Sequence, residues 1–212
     1  MITRADESGF TLAELLVACA VSMVVLIAGW GFYLTQLRSL SDQSATLEAT
    51  DKLRGAMTFL AREVRFAGYD PRAAALVAVG AKGVRDARGD RMTIEFDADA
   101  SGGIDADATG PAAESVLYAY DSANRTVLRT VAGSTETLVS EVSPGGLLLE
   151  YLDADGAALP LAGTPAALSA ADRDRVAFVR VTLSIEAVDT QRSTVLTQTM
   201  DVALRNRILD RL

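Results

Sequence analysis

The chain has 212 residues, 50% of them hydrophobic, with one cysteine, no histidine and a formal net charge of -8. That length suits one domain plus an anchor rather than two full domains. The missing histidine excludes Ser-His-Asp and Cys-His catalytic arrangements and His-ligated zinc, the lone Cys19 excludes an intrachain disulfide, and the acidic balance leaves no electrostatic footprint for nucleic acid.

A polar leader, residues 1–9, runs into an apolar segment whose only charge before Arg38 is Glu14. A secretory signal is cut after its hydrophobic region, beside small residues. Here the junction precedes that region, at Gly9/Phe10, so cleavage would leave the whole apolar segment on the mature chain. Residues 10–37 predict a helix about 40 Å long, enough to cross a bilayer core. Trp30 and Tyr33 sit near its Arg38 end, as interfacial aromatics do. Cys19 reads as a small packing residue within it. Glu14 admits two readings. A carboxylate at membrane depth is costly and is rarely kept without a partner, whereas at headgroup level it would be an N-terminal acid favoured by the helix dipole. Gly29 and Gly31 each weaken the helix by about 1 kcal/mol relative to alanine. They are open to local melting or to close packing against neighbouring helices.

Beyond the span the pattern stays helical and becomes amphipathic. Leu53, Met57, Leu60, Val64 and Ala67 recur at alternating spacings of four and three, while Lys52, Arg54, Arg62, Glu63 and Arg65 fill the other faces. No proline interrupts residues 10–66, which would measure about 85 Å as one helix. Gly68 and Pro71 predict its end.

The remainder reads as strands joined by turns: 92–96, 115–120, 126–131, 137–142, 147–152, 176–188 and 194–204. Asn124 and Arg125 would turn the second onto the third, and residues 190–193 would close a long final hairpin. Residues 73–88, rich in alanine, are ambiguous and read as a loop with room for short elements, and 160–171 reads as another loop. The fold class is α+β: a long N-terminal helix, transmembrane and then amphipathic, packed on a C-terminal antiparallel β-domain. The expected divisions are a leader (1–9), a membrane helix (10–37), its amphipathic continuation (38–67) and a β-rich domain (68–212).

An acidic loop follows the first strand. Asp97, Asp99, Ser101 and Asp105 occupy positions one, three, five and nine of a calcium-loop pattern, with Gly102 at six and Ile104 at eight. The twelfth position is Ala108 where a bidentate glutamate belongs, Glu114 lies too far along to serve in the same loop, and no helices flank it. A calcium site and a solvated acidic turn therefore both stand as readings. Asp153, Asp155 and Gly156 are ordinary turn chemistry. No nucleophile motif is present, and no catalytic activity is expected.

Gly9, Phe10, Thr11, Leu12 and Glu14 together resemble the class III signal of type IV prepilins and pseudopilins. The resemblance implies cleavage after Gly9 by prepilin peptidase, N-methylation of Phe10, and pairing of Glu14 with an N-terminal amine, its own or a neighbour's, during assembly. The run from Phe59 to Tyr69, with its Arg-rich helix end leading into Ala67-Gly68-Tyr69, resembles PilW-like minor pilins; GspJ-type pseudopilins have a related exit. The stretch from Arg175 to Leu183 and the ending Val202-Ala203-Leu204-Arg205-Asn206-Arg207 are similar to late segments of PilW-like chains. These likenesses imply a minor pilin, lodged in the bacterial inner membrane and then carried to the cell surface in a pilus serving adhesion and twitching motility. The implied partners are prepilin peptidase, other minor and major pilins, the inner-membrane assembly platform and a tip adhesin. No resident cofactor is implied, and calcium is the one candidate. The rivals are a GspJ-like pseudopilin of type II secretion, a signal-anchored periplasmic binding module using the acidic loop, and a DNA-capturing competence pseudopilus, which the acidic balance disfavours.

Overall fold

The computed structural model describes residues 11–71, 83–105, 113–188 and 193–204. The chain divides into two compact units, residues 1–44 and 45–212. One helix, α1 (Leu12–Phe66), contributes to both.

Within the first unit α1 is apolar and bare. Leu15, Val24, Leu26, Ile27 and Trp30 are each more than half exposed, and an 18-residue window apolar enough to cross a membrane contains no buried residue. Side chains of this kind need a non-aqueous neighbour. The hydroxyls of the segment are suited to one. Ser22 donates to the Ala18 carbonyl at 2.7 Å and Thr35 to the Gly31 carbonyl at 3.0 Å, so neither would be unsatisfied in lipid. The helix continues through Gly29 and Gly31, and a Cβ added at either would meet nothing within 4 Å.

In the second unit α1 becomes a packed helix. The expected stripe of Leu53, Met57, Leu60, Val64 and Ala67 is buried, none of its members more than 5% exposed. Ala49, Ala56 and Ala61 flank it and are buried with it, letting the helix lie close to the strands. Full burial of a Leu, Met or Val side chain stabilises by about 1.5–3 kcal/mol, which explains why the stripe governs the helix orientation.

The helix ends where glycine chemistry allows a close crossing. Gly68 takes φ 79° and donates to the Glu95 carbonyl at 2.9 Å, while the Asp97 N–H donates to the Tyr69 carbonyl at 2.7 Å. Gly83, at φ 95°, lies against this exit; a Cβ there would fall 2.3 Å from the Gly68 nitrogen. The exit is thereby bonded to Glu95 and to Asp97, the acidic loop's first residue.

Two antiparallel sheets complete the unit. The first has five strands in sequence order: β1 (Val84–Ala87), β2 (Arg91–Glu95), β3 (Ser115–Asp121), β4 (Thr126–Val131) and β5 (Ser134–Val139). The second has three: β6 (Val142–Leu152), β7 (Phe178–Val188) and β8 (Ser193–Ala203). A single-turn helix, α2 (Ala170–Arg173), capped by Ser169, lies between β6 and β7. Register pairs Leu149 with Val181 and Tyr151 with Val179, placing alternate apolar side chains on one face. That face, the inward residues of the first sheet and the α1 stripe form one hydrophobic core.

Most expected strands are present, with three corrections. The strand expected over 137–142 breaks: β5 ends at Val139, Glu141 takes a left-handed φ of 62°, and Val142 opens β6 in the other sheet. β6 itself is longer than the expected 147–152 because a register shift between Val142 and Leu147 absorbs Pro144, Gly145 and Gly146. Residues 160–171, expected to be a loop, contain the start of α2, while 73–88, expected as a loop with room for short elements, hold the four-residue β1. Residues 72–82 and the turn at 189–192 lie outside the described residues, as does the C-terminal match at 205–207.

Candidate assembly segment and acidic loop

At the start of α1, Thr11 and Glu14 bind each other reciprocally. The Glu14 Oε2 accepts from the Thr11 backbone N–H and from its hydroxyl, both at 2.9 Å, and the Glu14 N–H donates to Thr11 Oγ1 at 3.3 Å. This is a capping box, with threonine at the N-cap and glutamate at the third helical position. It satisfies helix N–H groups that have no intrahelical acceptor. It also turns the carboxylate back toward the start of the helix. Oε1 makes no hydrogen bond among the described residues, so the group keeps an acceptor for a cation arriving at the helix start. Gly9 and Phe10 themselves lie outside the described residues.

The acidic loop is built differently from its sequence pattern. Asp97 and Glu114 are fully buried, and with the exposed Asp99 they bring carboxylate oxygens within 4.8 Å of one another. Glu114, distant in the loop count, arrives by strand pairing: Glu95 lies opposite Ser115, and the Phe96 N–H donates to the Glu114 carbonyl at 3.0 Å. Its side chain then gathers the loop. Oε1 accepts from the Ala98 and Asp99 N–H groups at 2.7 and 3.3 Å, and Oε2 from the Asp105 N–H at 2.8 Å. Asp97 accepts from the Ser101 and Gly102 N–H groups at 3.2 and 3.1 Å. The backbone N–H of Ser101 and its side chain beside Asp99 hold that carboxyl below the usual carboxylate range.

Asp97 in the loop and Glu114 beyond it are buried and carry backbone donors, whereas Asp99, Ser101 and Asp105 are exposed. Asp97, Asp99 and Glu114 are the oxygens that would face a hard cation. Ser101 and Asp105 enter through their backbone N–H groups. Asp107 and Ala108 lie outside the described residues.

A third group has no counterpart in the sequence reading. Arg129 on β4 grips Glu63 on α1 through two bonds, Nε to Oε2 at 3.0 Å and Nη2 to Oε1 at 2.7 Å. Its remaining Nη1 donates to Glu136 on β5 at 2.7 Å, and the guanidinium carbon stands 5.5 Å from the centre of the Phe59 ring. The Tyr118 hydroxyl on β3 also donates to Glu63. Burial, then the Glu63 carboxylate, push the Tyr118 hydroxyl well above its ordinary range, keeping it a donor. Glu63, expected on the faces away from the stripe, is thus the point where the helix is fastened to two strands, β3 and β4. The usable signal was its position beside Leu60 and Val64, at the margin of the buried stripe.

The model of the prokaryotic N-terminal methylation motif matches residues 4–30, which include the Gly9/Phe10 junction, Thr11 and Glu14. Comparison with curated proteins and with solved structures gives no match. Motif and architecture agree: an N-terminal methylation segment continues by helix into an antiparallel β-domain, an α+β arrangement consistent with a type IV pilin-like fold.

Proposed function

We propose that the protein is a minor pilin of a type IV pilus, joining other minor pilins in a tip complex that primes assembly. The observation that carries this reading is the ungapped junction Gly9-Phe10-Thr11-Leu12 with Glu14, opening a bare apolar helix that feeds a packed β-domain. In this reading prepilin peptidase cuts after Gly9 and N-methylates Phe10. The apolar helix holds the subunit in the inner membrane, then packs among the helices of neighbouring subunits. Glu14 neutralises an N-terminal ammonium there. The role is structural, and the β-domain is what the subunit presents outward.

The run from Phe59 to Tyr69 supports a PilW-like subunit over a major pilin. Because its wording is also related to that of GspJ-type pseudopilins, a minor pseudopilin of type II secretion is the second reading. A deletion strain separates them. Loss of surface pili with secreted enzymes at their normal level is the expected result. Intact pili with enzymes trapped in the periplasm would move the protein to type II secretion.

A further inference from the structure

We propose that the free edge of β8 takes up a fourth strand from another protein, an extended segment that carries a lysine or arginine opposite Asp201. The inference goes beyond the subunit reading above and does not depend on it. β8 closes one side of the second sheet, and no described strand lies beyond it. Its pairing with β7 is unbroken over all 11 residues, from Phe178 opposite Ala203 to Val188 opposite Ser193. The Leu204 N–H donates to the Ala177 carbonyl at 2.9 Å, in the same register. Bonding alternates along an antiparallel pair, so Val195, Thr197, Thr199 and Asp201 turn their N–H and C=O groups away from β7.

This edge is bare where the others are blunted. A regular sheet edge is a template for another chain, and proteins commonly spoil it with shortness, charge, proline or a bulge. β1 has four residues and a register shift, β5 has six with Glu136 facing water, and β6 carries Pro144, Gly145 and Gly146 in an irregular stretch. β8 has no proline, glycine, lysine or arginine, and its acid, Asp201, is already tied to Arg180 at 2.7 Å. The core also thins toward it. Val179, Val181, Leu183 and Ile185 on β7 are at most 1% exposed, whereas Leu196 and Met200 on β8 pack on the core yet stay partly exposed.

The cross-strand rows specify the occupant. Glu150 on β6, Arg180 on β7 and Asp201 on β8 stand in one row of alternating charge. A cation on the next strand continues that row, because opposite charges stabilise directly opposed positions. The neighbouring rows pair hydroxyls, Thr182 with Thr199 at 2.9 Å and Ser184 with Thr197 at 2.8 Å, so β-branched polar residues fit beside the cation. Apolar residues alternating with them would cover Leu196 and Met200. A second copy's β8 does not meet this pattern, because it brings no cation to Asp201 in any register. Backbone pairing supplies the binding, and the alternate side chains select the partner.

The test uses the full-length chain in its own bacterium, with p-benzoylphenylalanine in place of Val195, irradiated and mapped by peptide mass. The expected adduct is to an extended segment of another protein with lysine or arginine in register with Asp201. T199P removes an outward N–H while sparing the β7 ladder, and should lower the yield about tenfold. T199V keeps that N–H and should leave the yield unchanged. Changing the mapped cation to glutamate should lower it as T199P does. If T199P falls below its normal membrane level, T197P against T197V is scored in the same way. An adduct within the same chain, an adduct to a second copy, a yield indifferent to the proline, or no adduct at all would overturn the proposal.

Discussion

Replacing Glu14 by alanine is expected to leave the protein in the inner membrane at its normal level while reducing its incorporation into assembled filaments by about a hundredfold. The apolar surface that holds the span in lipid does not involve the carboxylate, so insertion is untouched. Assembly is different. Once a subunit's helix is packed among others, an N-terminal ammonium without a counter-charge is a buried unpaired ion. Removing one partner of such a pair costs about 3–5 kcal/mol, which is about two to three and a half decades at 1.4 kcal/mol each, so a hundredfold is the lower end.

Glu14→Gln makes this a test of charge rather than of helix capping. A glutamine at the third helical position can reciprocate with Thr11 as glutamate does, so the bonds now seen at 2.9 Å are retained in kind. Only the negative charge is lost. The account predicts that Glu14→Gln assembles as poorly as Glu14→Ala, read by immunoblot of sheared filaments against the membrane fraction. Assembly restored by glutamine would reduce Glu14 to a helix cap.

The second large effect is expected at the junction of α1 with the first sheet. Glu63→Ala leaves Arg129 with only the partly exposed Glu136, and takes the acceptor from Tyr118. Side-chain exposures of 19% and 20% for Arg129 and Glu63 place the pair between a surface bridge, worth less than about 1 kcal/mol, and a buried one. A loss of about 2–3 kcal/mol follows, or roughly 5–10 °C in melting temperature for a unit of this size. Circular dichroism melts of the full-length protein in detergent measure it. Tyr118→Phe should cost about 1 kcal/mol, because one hydrogen bond goes while the ring stays packed.

The pH dependence has a definite sign. The folded-state pKa of Tyr118 is raised, so its contribution is fully present below the unfolded value of about 10 and is lost as pH rises toward the folded one. Tyr151, also buried and raised, behaves in the same sense. Stability should therefore fall above about pH 10, and Tyr118→Phe should flatten that fall without abolishing it.

What could be read in the sequence was local. The α1 stripe declared itself because a helix repeats its buried face every three to four residues, and β2 to β4, β7 and β8 because alternation marks a half-buried strand. The break at Glu141 was hidden because left-handed backbone usually announces itself with glycine or asparagine, and here a glutamate adopts it while its side chain meets Lys52 at 3.0 Å. β1 was masked by an alanine-rich surround with no alternation.

The sites divide in the same way. Thr11 and Glu14 are three residues apart, so spacing alone could join them. Glu63 and Arg129 are 66 residues apart, and Ala98 and Glu114 are 16 apart. Only the packing of α1 on β4, and the register of β2 against β3, bring those pairs together. The count that set Glu114 aside from the acidic loop followed the chain, whereas the loop is closed across a strand pair.

The most direct measurement is the mass of the N-terminal peptide of the protein recovered from its own bacterial membrane. The account predicts that residues 1–9 are gone and that the first residue is an N-methylated Phe10, with Glu14 in place five positions into the mature chain. A mature protein that still begins at Met1, or one cut beyond residue 37 so that the apolar helix is lost, would contradict it.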